Sequence, residues 1–597
     1  MKKAFNQHSK LIPIIESTST DTYTCPVCHE ELIRKFGAIK QYYAHSRDTE
    51  SNVSDCEAKM KLIVKDDKGI QFQENQLDIL SDEFYNKQFD NITIEMSDYM
   101  SEDGYALTKE QKDIINSTED RIKISALSGS AKTSTLYYYA KERPFNKILY
   151  LVYNKAMKDE CLKTFGKLNH VEIKTIHGLA FGYVGRFYKD KLTFNYGVVD
   201  IIKDLNLNWN NDMELAVKIN EMMKTYMMSN VQTFNDLEIF KEDNIRSRII
   251  SQCERLWELK KSYKNNIKIE HDYYLKIFQL NQVDLSKKYD IIMGDEIQDS
   301  SLMMFDIFIN SNVKGIIVVG DKFQQLYSWR NAINIMPLFE AKEYKLTTSF
   351  RVSQNIAHIA NLIVSDMSDN DIQMKGFNNK QTIVDKIDKS NPYVCLCRTN
   401  AYIFAEVAEA LGIDRNKKLF FEGGYQSYNF TNLVDCYYFS IGKPTKNKIL
   451  SKFKNYYEME DYADKTVDLE LLALIKMVKK YSSRIIDIVN GIKNNSVTKK
   501  ESADILFSTI HRSKGMSYSM PVYISEDHFD IESEYRNKFI GQDEEKKENN
   551  NLYEEMCILY VGCTRCVGEI ELSEIVKRYL LLRHKTNGHE LHSVSNN

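Results

Sequence analysis

Arg121-Ile-Lys-Ile-Ser-Ala-Leu-Ser-Gly-Ser-Ala-Lys-Thr133 decides how this 597-residue chain folds. Its first half alternates apolar and polar residues, which predicts a strand over Arg121 to Ser125. The strand runs into a Gly/Ser-rich turn, and Ser134 to Lys141 is compatible with a helix. In that setting the free N–H groups opening a helix face an anion, and the helix dipole favours negative charge there. Ala126 to Thr133 is a near-match to the phosphate-binding loop pattern. Ser128, Gly129, Ser130, Ala131, Lys132, Thr133 and Ser134 are therefore candidate contacts to the phosphates of ATP. Lys132 would reach the β and γ groups, and the Thr133 hydroxyl would ligate Mg²⁺. Ala126 and Ala131 stand where the strict pattern has glycine. A Cβ at position 131 predicts strain of about 1 kcal/mol in a left-handed backbone. Taken alone, the segment is also compatible with an ordinary polar turn.

An ATPase site needs a second half, an acidic pair ending a buried strand. Tyr289-Asp-Ile-Ile-Met-Gly-Asp-Glu-Ile-Gln-Asp299 supplies it. Asp295 is placed to hold Mg²⁺, and Glu296 to polarise an attacking water. Around these anchors the apolar runs Lys147 to Tyr153, Gly315 to Gly320, Tyr393 to Cys397, Asp504 to Ser508 and Pro521 to Ser525 alternate with helical segments such as Ala401 to Leu411. That alternation predicts an α/β fold of parallel sheets with helices on both faces. Residues 181–285 show helical periodicity instead, best over Met213 to Met227 and Ile245 to Ser262, and read as a helical insertion. The expected layout is a small Cys/His module over 1–65 and an acidic connector over 66–104. A first α/β lobe over 105–345 carries the insertion, a second lobe over 346–583 carries a reduced insertion at about 425–503, and 584–597 form a frayed tail.

Eighty basic against 84 acidic side chains leave a formal charge of −4, so a nucleic-acid site must be local rather than a global positive field. Hydrophobic residues make up 43% of the chain with only seven prolines and 23 glycines, which excludes wholesale disorder and fibrous architecture. No run of roughly 18 apolar residues is present, so no membrane span is expected. The opening Met-Lys-Lys lacks a sufficient apolar core for a signal peptide, and a cytoplasmic location is expected. Eleven cysteines, an odd number, fit reduced thiols with room for a metal site rather than a disulfide framework.

Further motifs follow in order from Leu107 to about Leu572. Leu107-Thr-Lys-Glu-Gln111 precedes the phosphate loop; Tyr150-Leu-Val-Tyr-Asn-Lys155 and Lys174-Thr-Ile-His-Gly-Leu-Ala180 follow it. Val319-Gly-Asp-Lys-Phe-Gln-Gln-Leu-Tyr-Ser-Trp-Arg-Asn-Ala332 and Leu346-Thr-Thr-Ser-Phe-Arg351 come next. Thr509-Ile-His-Arg-Ser-Lys-Gly-Met516 and Glu554-Glu-Met-Cys-Ile-Leu-Tyr-Val-Gly-Cys-Thr-Arg565 close the set. Together they resemble the superfamily 1 helicases of the UvrD, PcrA and Rep type. Val394-Cys-Leu-Cys-Arg-Thr-Asn400, Phe420-Phe-Glu-Gly-Gly424 and the short helical span before Thr509 look most like the F-box DNA helicase branch.

The resemblance implies two RecA-like P-loop NTPase domains and 3′-to-5′ travel on DNA. By it, Gln111 reads the adenine edge, Phe350 stacks on adenine, Gln324 senses the γ-phosphate, and Arg351 and Arg565 reach the phosphates from the second lobe. Tyr153, Asn154, Lys155, Thr175, His177, Tyr327, Trp329, Arg330, Thr509 and His511 are its DNA contacts. Outside their motifs, aromatics such as Tyr327 and Trp329 more often pack in cores. The chain departs from the family at Ala131 and at Ser517, where a carboxylate usually contacts ribose.

Cys25 and Cys28 form a C-x-x-C knuckle, followed by His45 and Cys56. Three sulfurs and one imidazole would close a tetrahedral structural zinc site. His29 competes with His45 as ligand, and free thiols are the alternative. The text from Cys25 to Cys56 looks like the zinc-ribbon segment of CoiA-type competence proteins. Such a module could dock DNA or a protein partner. Cys161, Cys253, Cys395, Cys397, Cys436, Cys557, Cys563 and Cys566 are read as packing. The resulting expectation is an ATP-dependent DNA helicase or single-strand translocase working on single-stranded or tailed duplex DNA, using ATP, Mg²⁺ and structural Zn²⁺. The rival is a nucleotide-gated DNA-binding or scaffold subunit with weak turnover.

Overall fold

In the computed structural model the chain separates into two compact units, Met1–Asp90 and Asn91–Asn597. The structure describes five strands before residue 46, then residues 94–100, 106–152, 155–194, 196–209, 211–326, 335–367, 372–377, 382–445, 447, 449–466, 468–525, 550–574 and 576–580. The five strands form an antiparallel sheet in the order Leu11–Pro13, Lys3–Phe5, Tyr23–Thr24, Glu31–Phe36, Gln41–His45. Of the expected zinc ligands, Cys25, Cys28 and Cys56 lie outside the described residues, and His45 is described only as the end of its strand. Among the described residues no helix is long and apolar enough to cross a membrane.

The second unit opens with a strand, Met96–Met100, inside the stretch expected to be a connector. It pairs antiparallel with Ala106–Thr108. Next comes a parallel sheet of six strands in the order Val171–Thr175, Ile148–Val152, Ile291–Gly294, Gly315–Gly320, Arg121–Ala126, Lys342–Leu346. Every residue of Ile148–Val152, Ile291–Gly294 and Gly315–Gly320 is buried, which is why these segments read as near-continuous apolar runs. Ile122, Ile124, Tyr150, Met293 and Val319 face one core, while Leu149, Leu151, Ile292, Ile316 and Val318 face another. That is the period of two expected of strands covered on both faces. The strand expected from Tyr289 starts only at Ile291, because Tyr289 and Asp290 are used elsewhere. The Tyr289 hydroxyl donates to Glu172 Oε2 at 2.6 Å, and Asp290 Oδ2 accepts from the Lys147 N–H at 2.7 Å.

The helical insertion contains Val198–Leu205, Met213–Met228 and Arg246–Lys261 around a core of its own that includes Ile201, Ile219, Met222, Tyr226, Ile249 and Leu256. The second lobe is built on six more parallel strands, ordered Thr382–Val384, Glu569–Glu571, Val522–Ile524, Tyr393–Cys397, Ile505–Thr509, Leu419–Phe421. Between residues 425 and 503 lie the helices Phe430–Ser440, Tyr456–Thr466, Leu469–Tyr481 and Arg484–Asn495. Leu433, Met459, Ile475 and Val489 from these helices share one core with Phe404 of the helix Asn400–Ile413 and Phe507 of the sheet. The eight cysteines read as packing are all free and buried.

Candidate nucleotide site between the two sheets

Arg121–Ala126 and Ile291–Gly294 are separated in the sheet by Gly315–Gly320 alone, so the phosphate loop, the acidic pair and Asp321 leave the same sheet edge. Ligands of open α/β sheets bind at such carboxyl ends. The loop delivers Lys132–Lys141, a helix that begins two residues earlier than expected. Ala131 is the residue before that helix, at φ 59° and ψ 39°, so the alanine does occupy the left-handed conformation that favours glycine. Gly129 is left-handed too, at φ 75°. A Cβ there would lie 2.5 Å from Ser349 Oγ and 2.7 Å from Arg351 Cβ. Only glycine lets the loop approach the second lobe this closely. The Phe350 N–H accordingly donates to Gly129 O at 3.0 Å.

Second-lobe groups converge on the loop. Arg565 Nη2 donates to Ser128 Oγ at 2.8 Å and to Gln324 Oε1 at 3.1 Å. Arg351 Nη1 donates to the same Ser128 Oγ and to Thr564 O, each at 3.2 Å. The Tyr560 hydroxyl accepts from the Ser128 N–H at 3.0 Å and donates to Asp321 Oδ2 at 3.0 Å. Gln324 Nε2 donates to the same Asp321 Oδ2 at 2.7 Å. Arg565 is 1% exposed. Burial, and then the adjacent Arg565 charge, pulls the Arg351 guanidinium down to about 9, and burial lowers Arg565 as well. A buried guanidinium beside a half-buried one makes a site that an anion relieves. Ser130 Oγ is buried beside them without a hydrogen-bond partner, a polar atom placed to bond a phosphate oxygen.

Glu296 sits at φ 53°, two residues after the end of the strand Ile291–Gly294. Its carboxylate meets Lys132 Nζ at 3.1 Å and Lys514 Nζ at 3.5 Å, and accepts from Gln298 Nε2. Burial pushes this carboxyl up, but the two ammonium groups and the amide outweigh it and hold it well below the usual range. Asp295 goes the other way. Burial, then the charge of Glu296, raises it to about 6, although the Tyr150 hydroxyl donates to Oδ2 at 2.6 Å. Lys514, from the second lobe, also pairs with Asp299 and donates to Gln324 O at 2.8 Å. These lobes enclose a cavity of about 300 Å³ whose lining includes Glu296, Asp299, Glu422, His511 and Lys514.

Lys132, Asp295, Glu296, Gln324, Arg351 and Arg565 thus lie in one connected cluster with Ser128, Gly129 and Ser130. Thr133 and Ser134 occupy the first turn of the loop helix. Gln111 is buried and already engaged: Oε1 accepts from the Thr108 N–H at 3.0 Å and Nε2 donates to Thr135 Oγ1 at 3.1 Å. Phe350 is half-buried, 5.4 Å from the ring of Phe377. Among the DNA-contact candidates, Tyr153, Asn154, Tyr327, Trp329 and Arg330 lie outside the described residues. Lys155 is exposed at the start of Lys155–Phe165. Thr175 Oγ1 caps the next helix by accepting from the Gly178 N–H at 3.0 Å, and His177 Nε2 is 2.8 Å from Asp272 Oδ1. Thr509 is buried at the end of its strand. Burial, then the charge of Arg398, holds His511 down at about 4, so it is neutral at pH 7.

Lys514 and Tyr560 were not singled out from the sequence, although both stand inside quoted motifs. Glu110 was missed as well. It accepts from the Thr347 N–H at 2.8 Å and from Thr347 Oγ1 at 2.6 Å, fastening the helix Lys109–Ile115 to the segment that follows the strand Lys342–Leu346.

Residues 107–344 match the UvrD/REP helicase N-terminal domain. A Gallus gallus protein described as F-box DNA helicase 1 is 29% identical over 524 residues, covering 80% of this chain and 50% of its own. A Schizosaccharomyces pombe protein described as F-box DNA helicase protein 1 is 24% identical over 536 residues, 81% of this chain and 59% of its own. A probable DNA helicase II homolog of Mycoplasma pneumoniae is 24% identical over 308 residues, 43% of this chain and 42% of its own. The chain therefore spans only 50% to 59% of the length of the first two relatives.

Proposed function

We propose that the chain is an ATP-dependent DNA helicase or single-strand translocase that hydrolyses ATP between its two parallel sheets. The observation that carries this is the meeting of Arg351 and Arg565, from the second lobe, on Ser128 Oγ of the phosphate loop. Charge donated from a second lobe makes hydrolysis sensitive to how the lobes are set, the requirement for a motor. The names of the similar proteins support DNA as the track.

A triphosphate would take Ser128 Oγ's place as acceptor for both guanidinium groups and supply a partner to Ser130 Oγ. Lys132 would move from Glu296 to the phosphates. Glu296 then loses one of the two cations that depress its basicity, so its hold on an attacking water strengthens as the substrate seats. Asp295 and Thr133 fit a Mg²⁺ ion, since a buried carboxylate with a raised affinity for protons gains from a cation. Such an ion would neutralise charge on the phosphates. Gln324 bonds both Asp321 and Arg565, so it is placed to pass the state of the phosphates to the segment after it, where Tyr327, Trp329 and Arg330 would meet DNA. Lys155, Thr175, His177, Thr509 and His511 are proposed to position the strand without reading its sequence. Travel 3′ to 5′ rests on the family resemblance alone.

Steady-state ATP turnover should rise at least about tenfold with saturating single-stranded DNA, the size expected if lobe closure gates hydrolysis. Turnover unchanged by DNA sinks the motor and leaves the scaffold. Strand displacement should require a 3′ tail on the duplex; equal activity on 5′-tailed duplex overturns the direction. Separately, we propose that Cys25, Cys28, His45 and Cys56, three thiolates and one imidazole, hold a structural zinc. Elemental analysis of the purified chain should find about one zinc per molecule; finding none removes it.

A further inference from the structure

The helical insertion carries an aromatic surface that the nucleotide site does not use. Two segments, 185–194 and 262–271, lie side by side: the Thr193 N–H donates to Ile269 O and the Ile269 N–H to Lys191 O, both at 2.9 Å. Tyr183, Phe187, Phe194 and Tyr263 on and next to these segments are 39%, 57%, 88% and 62% exposed. Scattered apolar residues on a surface need no explanation, but a cluster rimmed by polar groups marks an interaction site.

The rings are continuous with a residue already placed on the proposed strand path. His177 and Tyr274 lie edge to face with centroids 6.3 Å apart, Tyr274 and His271 are 5.7 Å apart, and His271 lies against Phe194 at 4.8 Å with an interplanar angle of 32°. Gly185 packs against the same Tyr274, where a Cβ would come within 3.1 Å of the ring. One face of Phe194 is thus backed by His271 while the other is open. Arg186, Lys189, Lys264 and Lys268 are exposed on the same two segments. Of the two acids in these segments, Glu270 is paired with Lys260 and Asp190 is exposed; against them stand Arg186, Lys189, Lys191, Lys264 and Lys268, so the local charge is positive. A charged rim that tracks a backbone, with an open aromatic face for a base, is the chemistry of single-strand binding.

We propose that Phe194, supported by His271, is a stacking platform for a base of single-stranded nucleic acid, extending the track from the first lobe onto the helical insertion. This rests on the motor function proposed above. It commits to nucleic acid rather than a protein partner because the rim is cationic and the rung nearest the first lobe is His177.

Phe194→Ala, in the full chain, should weaken binding of a fluorescent single-stranded oligonucleotide of about 20 nucleotides by roughly 5- to 10-fold in an anisotropy titration. Phe194→Trp should restore it. On an oligonucleotide of the same length made of abasic sites, wild type and Phe194→Ala should bind alike, an outcome that a merely structural role would not produce. Equal affinity of wild type and Phe194→Ala for the intact strand overturns the platform, as does a loss that persists on the abasic strand. Wild-type ATP turnover that responds to DNA while Phe194→Ala binds normally strikes the platform alone. Turnover indifferent to DNA strikes the motor itself.

Discussion

Arg565→Ala is expected to lower ATP turnover on the order of 10³- to 10⁵-fold, the range for an arginine that stabilises charge on a transferring phosphoryl group. The guanidinium is 1% exposed and already reaches the phosphate loop through Ser128 Oγ and the candidate sensor Gln324. No water can substitute for it at that depth without reorganising the cluster. The same group also ties its own helix end, donating from Nε to Val561 O at 3.0 Å. The melting temperature should therefore be followed beside turnover, and Arg565→Lys included. Lysine keeps the charge but not the fork that bonds Val561 O from Nε while Nη2 meets Ser128 and Gln324, so it should not restore the rate. A folded Arg565→Ala protein with turnover within tenfold of wild type would refute the catalytic assignment.

Lys132→Ala is the second large effect, a fall of about 10² to 10³ in turnover, as for removal of one preorganised charge at a transition state. Three decades correspond to about 4 kcal/mol of barrier. The folded state should tolerate the change, because Lys514 still faces Glu296 at 3.5 Å and Gln298 still donates to it. Glu296 loses the largest of its favourable charges, so its carboxyl rises from its depressed value. Nucleotide affinity, measured with a non-hydrolysable analogue, should drop as well, since Lys132 is proposed to leave Glu296 for the phosphates. Wild-type turnover in Lys132→Ala would show that this loop is not where hydrolysis occurs, and would favour the scaffold.

Much of the site was legible because its parts are local. The strand, turn and helix around Gly129 announce themselves through a period of two followed by small residues, and the acidic pair follows an apolar run of four. The expected strain at Ala131 was also readable, because left-handed backbone follows from the loop's shape and not from its neighbours. Other features had no such signal. Thr175, read as a strand contact, spends its hydroxyl on a helix cap. Gln111, read as an adenine contact, is held in a capping box with Thr108. A capping box is itself a local pattern, Thr followed three residues later by Gln, so that engagement could have been anticipated. The partnership of Tyr560 with Ser128 and Asp321 could not, since those residues are far apart in the chain and neither constrains its own neighbourhood.

Periodicity and spacing by themselves determined the parallel α/β character, the phosphate loop, the acidic pair and the presence of a helical insertion, because each arises from interactions within a few residues. Tertiary structure alone decided that two arginines share one serine, that Lys514 crosses to the first lobe, and that Phe194 is left open above His271. These depend on where distant segments come to rest, and burial then sets their charges and partners. A side chain's chemistry is written in its identity, but the energy of using it is set by what surrounds it.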